Sequence, residues 1–314
     1  MILTPIRFDC IGTGGRAVAA LALSPGGGAL AACFGESVAV AGVPDCVSGP
    51  TLDAGAQVRD AAFSPDGRRL AVACDGAVRV FEVPAASPGA PLEMAGEGGF
   101  HTVAWSPDGS LVAAGHYEPQ VSLFDAASGR MVAGLDPGVF DDEGRTRVCF
   151  SPDGEVLAST AYNGVALWAK PSAVAAGVAR GKPRRKVVRA RGHAHMVDAG
   201  FVGGGALLAA LAETEGDCAL HVWEVGSYRK LSSVALPRYA TRLAAVPGGA
   251  LVAVAESLDG GVSLWDAATG GRAETELGGA AGLVVGALAA DARGGLVVAG
   301  TESGEILGWR TAGG

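Results

Sequence analysis

Seven basic side chains crowd into one short stretch, RGKPRRKVVRARGH: Arg180, Lys182, Arg184, Arg185, Lys186, Arg189 and Arg191. Such a run can hold nucleic-acid phosphates or an acidic protein surface, or it can be a solvated loop and outer edge strand kept from pairing by its charge. No aromatic residue interleaves for base stacking, so the solvated reading is preferred, and any nucleic-acid contact is expected only through Arg184, Arg185 and Lys186. Next to it, His193, His195 and Asp198 in RGHAHMVD offer two imidazoles and a carboxylate. No other histidine lies close in sequence, which leaves the set short of a closed ligand sphere; no metal and no cofactor is expected.

The opposite charge appears in GVFDDEGRTR, where Asp141 and Asp142 follow Phe140. Enzymatic signatures are missing: there is no GxSxG elbow, no GxxxxGK[ST] loop, no HExxH and no calcium-binding loop. Asn163 is the sole asparagine. GTGGRA near residue 12 looks superficially like a phosphate loop, but no helical periodicity follows it, so it reads as a turn. The expectation is a protein that catalyses nothing.

These residues need a scaffold, and composition bounds it. The 314 residues are 49% hydrophobic and 18% charged, enough for a sizeable core, while 50 glycines and 16 prolines punctuate short apolar runs. Many short strands follow from that. A net charge of −8 disfavours whole-surface attraction to nucleic acid or an anionic membrane. The six cysteines form no CxxC pair and sit mostly in apolar runs, where a free thiol packs as a small hydrophobe, so a reducing cytoplasm is expected. No leader-like or membrane-spanning stretch is read in the sequence. The Ala, Gly, Val and Arg-rich usage, poor in Lys and Asn, is that of a GC-rich genome such as a bacterial one.

A repeat organises the rest. LALSPGGGAL, AAFSPDGRRL, VAWSPDGSLV, VCFSPDGEVL, AGFVGGGALL, LAAVPGGALV and the decayed LAADARGGLV align, with Pro25, Pro65, Pro107, Pro152, Gly203, Pro247 and Ala292 at equivalent places. Successive spacings of 40, 42, 45, 51, 44 and 45 residues match one four-stranded unit. In each copy an apolar strand enters a Ser-Pro-Asp-Gly turn and leaves as a second strand, because proline presets φ, aspartate bonds its own backbone and glycine accepts the left-handed position. A third strand ends in an aromatic residue: Phe81, Phe124, Trp168, Trp223, Trp265 and Trp309.

With the literal pair Trp265 and Asp266, the near-pair Phe124 and Asp125, and Gly192 with His193, the chain resembles the WD40-repeat family over essentially its whole length. The resemblance implies an all-β, seven-bladed β-propeller of four-stranded antiparallel blades, residues 1–314 forming one domain. His193, Asp217 and Trp223 occupy the positions of that family's structural network, though the repeats are degenerate. After Trp309 only RTAGG remains, so the N-terminal segment ILTPIRFD is expected to complete the last blade and close the ring.

Opposite the turns, the loop-rich face should display Arg59, His101, Tyr117, Phe140, Asp141, Asp142, Arg147, Tyr162, Met196, Tyr239 and Arg242, residue types enriched at interfaces. The family implies an interaction scaffold or regulatory subunit that binds a protein or peptide there, monomeric alone or part of a hetero-complex. The alternative is a small-molecule-binding or hydrolytic propeller with its site in the central channel. Near that channel the alignment places Asp60, Arg147, Asp198 and Arg242.

Overall fold

The computed structural model describes residues 2–310 apart from 4, 44, 84–88, 119, 138–144, 176–184, 191–193, 215–216, 238, 247–248, 257–260, 274–275, 278–281 and 292–294. Helix in this part is confined to Pro171–Ala175 and the single 3₁₀ turn Gly203–Gly205. Everything else regular is strand.

Ala20–Leu23, Ala29–Phe34, Ser37–Gly42 and Val47–Asp53 make the first antiparallel four-stranded sheet. The next two units run together as a six-stranded sheet, because the 14-residue strands Arg69–Glu82 and Leu92–Trp105 are continuous through their corners. Two further four-stranded sheets follow, Val148–Phe150 to Arg185–Arg189 and His195–Val202 to Lys230–Leu236. Ala240–Val246, Leu251–Glu256 and Gly261–Asp266 are joined by Glu276–Leu277, and Ile2–Leu3 adds to that outer strand in parallel. Last come Val285–Ala290, Leu296–Thr301 and Ile306–Arg310, whose outer partner is Ile6–Arg7.

The expected turn chemistry is present in atomic detail. Ser64 donates its hydroxyl to Asp66 at 2.6 Å and accepts the Arg69 amide at 2.9 Å, while Asp66 accepts the Arg68 amide at 3.0 Å. Ser106 with Asp108 and Ser151 with Asp153 repeat this geometry. Gly67, at φ 70°, takes the left-handed corner that a side chain would strain.

Each sheet's first strand lies against the first strand of the next. Ala20–Leu23 neighbours Val58–Phe63, and Val285–Ala290 neighbours Ala20–Leu23 again. Apolar clusters fill every gap between successive sheets. One of them joins Leu21, Leu30 and Phe34 to Ala287, Val298 and Ile306, the beginning of the chain to its end. The small residues Ala, Val and Gly suit this packing, since the sheets converge toward their first strands.

Two sequence expectations change. Cys10 and Cys46 form a disulfide, with Cα atoms 5.7 Å apart, and only Cys33, Cys74, Cys149 and Cys218 are free. A separation of 36 residues hid this pairing; it exists because the N-terminal segment folds back along the first sheet. And the N-terminus contributes two short strands to two different sheets, where one strand was expected.

Candidate functional site

The first strands converge on a pocket of about 140 Å³ lined by residues from each of them, Ala20, Asp60, Thr102, Arg147, Asp198, Arg242 and Ala287 among them. The four charged residues that repeat alignment assigned to one region are thus brought together. Asp60 and Arg242 are third in their strands, Asp198 is fourth in its own, and Arg147 immediately precedes Val148–Phe150.

Inside the pocket the carboxylates are engaged by the protein itself. Asp60 Oδ2 accepts the Thr102 hydroxyl at 2.8 Å and the Val103 amide at 3.1 Å, and Arg147 Nη1 stands 3.8 Å from it. Asp198 accepts the Ala199 amide at 2.9 Å through Oδ1 and the Leu243 amide at 3.0 Å through Oδ2. Each aspartate therefore ties its own unit to the next.

The cations are less well served. Arg147 is only 9% exposed, yet its Nε and Nη2 lack a hydrogen-bond partner among the described residues. Arg242 donates Nη1 to the Thr241 carbonyl at 2.8 Å. Burial, with repulsion from Arg147 second, lowers the Arg242 guanidinium to about 10. His101 is buried beside them; desolvation first, then Arg147, Arg242, Arg145 and Arg59, push its imidazole down to about 2, so it is neutral at physiological pH.

Arg59 pairs with Asp75 through two contacts at 3.0 and 3.3 Å and lies over the Tyr117 ring at 5.6 Å. Tyr117 also meets His101, ring centroids 5.4 Å apart, and Tyr162 meets His195 at 5.4 Å. Tyr239 is half-buried against the cluster between the fifth and sixth units. His101, Met196 and Arg147 are buried and not displayed, a correction to the expectation of exposed loop residues, because each lies at or beside the narrow end where strands crowd together. Phe140, Asp141, Asp142, Arg184 and His193 lie outside the described residues.

Arg185 and Lys186 stand exposed on the edge strand Arg185–Arg189, paired antiparallel with Gly164–Ala169. Arg185 donates to the Asp136 carbonyl at 3.0 Å, and Lys186 lies 5.6 Å from the Tyr228 ring, so this strand reaches toward both neighbouring units. Asp217 is exposed in a turn with Thr214, and buried Trp223 packs beside His221 and Lys230. Trp265 Nε1 donates to Ser263 at 2.8 Å, and Ser263 donates to Glu256 at 2.6 Å. This buried relay was missed from sequence; the strand alternation that puts Ser263 and Trp265 on one face was its only signal. Asp266 instead caps the following turn, accepting the Ala268 and Thr269 amides.

Among the described residues no group of three or more His, Cys, Asp or Glu is placed to hold a metal ion. Nor is any helix there long and apolar enough to cross a membrane.

Comparison with known proteins agrees with the repeat architecture. Residues 48–82 match the model of the WD domain, G-beta repeat. The chain is 33% identical over 123 residues to eukaryotic translation initiation factor 3 subunit I of Candida albicans, a match spanning 33% of this chain and 35% of that protein, about a third of its length. A chain in the crystal structure of the mitotic checkpoint complex superposes with a TM-score of 0.76 over 95% of this chain and 89% of its own, at 16% identity. At that identity the likeness is one of fold. The described residues form successive antiparallel sheets with almost no helix, and residues 48–82 are similar to a WD40 repeat.

Proposed function

We propose that residues 1–314 form one closed, seven-bladed WD40-type propeller that acts as a non-catalytic interaction scaffold or regulatory subunit, docking a protein or peptide on the face opposite the Ser-Pro-Asp-Gly turns. The observation that carries this reading is the stacking of partly exposed Arg59 over Tyr117, with a second aromatic pair in Tyr162 and His195, the residue types enriched at protein interfaces. Supporting it, one relative is named as a subunit of a translation initiation factor and a structural neighbour comes from a checkpoint complex. Fold alone does not set function, so the weight rests on the face. The cyclic neighbour relation of the first strands and the pairing of Ile6–Arg7 with Ile306–Arg310 support closure. The scaffold is a monomer by itself or one subunit of a hetero-complex.

Tagged protein purified from its native cells should carry a stoichiometric protein partner. Arg59→Ala with Tyr117→Ala should release it, whereas Arg68→Ala on the turn face should not. A bare monomer, or release by both sets alike, overturns the reading.

A further inference from the structure

We propose that the central pocket is an oxyanion site, in which the Nε and Nη2 edge of Arg147, assisted by Arg242, grips a single carboxylate or phosphate group. Four charged side chains line the pocket, two of each sign, but the two kinds are not equivalent. Asp60 and Asp198 accept hydrogen bonds from backbone amides and the Thr102 hydroxyl, interactions that tie neighbouring units together and leave the acids occupied. Arg147 has one loose contact, Nη1 to Asp60 at 3.8 Å, and two donors with no partner among the described residues.

A guanidinium that is 9% exposed with two idle N–H groups is costly, because a buried donor without an acceptor forfeits its hydration and gains nothing in return. Nε and Nη2 share one planar edge of the fork, which fits two oxygens of one carboxylate or phosphate. Arg242 lies close enough to Arg147 for their like charges to repel, and Arg145 and Arg59 add to the positive potential felt by His101. Arg59 is already matched by Asp75, and Asp60 and Asp198 offset two of the three charges of Arg145, Arg147 and Arg242, which leaves one cation in excess. The anion relieves this crowding. At about 140 Å³ the pocket admits one such group and little besides. This site stands apart from the scaffold reading, since a free ion would satisfy it as well as an acidic side chain of a bound peptide.

The test is calorimetric titration of the full chain at constant ionic strength with inorganic phosphate, with acetate, and with the capped peptide acetyl-Gly-Glu-Gly-amide. One saturable site is expected for phosphate. Arg147→Lys, which keeps the charge but loses the fork, should weaken binding about tenfold or more, and Arg242→Gln should weaken it as well. Asp108→Asn, at the turn end, should leave it unchanged. A peptide bound about tenfold more tightly than acetate identifies a partner-borne carboxylate as the source; phosphate bound as tightly as the peptide identifies a free ion. Should Arg147→Lys fail to fold, the wild-type titration and Arg242→Gln decide. Absence of saturable binding up to about 20 mM phosphate in folded wild type, or unchanged affinity in both arginine variants, overturns the proposal.

Discussion

Val18 donates its backbone amide to the Thr301 carbonyl at 3.0 Å, joining the first sheet to the last across almost the whole length of the chain. The same seam holds the Phe8 amide on the Ile306 carbonyl at 3.0 Å and the Thr13 hydroxyl on the Gly304 carbonyl at 2.9 Å. Phe8 is 3% exposed and lies over Gly308, where an added Cβ would meet its ring at 2.7 Å. Phe8→Ala should therefore cost about 3–5 kcal/mol in urea unfolding. If the sheets form a closed ring, amide exchange should quicken in both Ile306–Arg310 and Ala20–Leu23; quickening of the last strand alone would argue for an open arc.

The Cys10–Cys46 bridge ties the segment carrying this seam to the first sheet. Alkylation of the unreduced, denatured protein should label four of its six cysteines, and Cys10→Ser should raise that to five. Closing a loop of this length stabilises by about 2–4 kcal/mol, so reductant should lower the wild-type unfolding midpoint and leave that of Cys10→Ser unmoved.

Ser263→Ala removes the acceptor of Trp265 Nε1 and the donor to buried Glu256 in one step. A loss of about 2–3 kcal/mol is expected by chemical denaturation, more than a lone exposed serine would give. Ser263→Thr, which keeps a hydroxyl, should recover part of it.

Acid should weaken the fold in two stages. His101 and His221 are held neutral by burial, their imidazoles lowered to about 2 and about 4, so below the ordinary value near 6.5 the unfolded chain takes up protons that the folded chain refuses. Stability then falls with falling pH, by up to about 1.4 kcal/mol per unit for each histidine. Below about 4 the turn aspartates join in. Asp66 and Asp153 are lowered first by their serine hydroxyls, so the stability they give is present above the unfolded carboxyl value and lost as pH falls through the folded one. Thermal unfolding from pH 7 to 3 should show both; His101→Gln should flatten the upper stage, and Asp66→Asn with Asp153→Asn the lower.

The sequence by itself determined the repeated units, because each Ser-Pro-Asp-Gly turn and its flanking apolar runs is a local device whose hydrogen bonds close within about five residues. It also placed Asp60, Arg147, Asp198 and Arg242 near one another, since equivalent repeat positions occupy equivalent places. What only the tertiary structure decided was everything that depends on contact between units. Cys10 meets Cys46, Trp265 finds Ser263 and Glu256, His101 and Met196 turn inward, and Asp60 reaches Thr102 in the next unit while two donors of Arg147 have no partner among the described residues. Repeat spacing fixes where a side chain starts. Which of its atoms are satisfied is settled by how closely neighbouring strands crowd at the narrow end, and no local pattern encodes that distance.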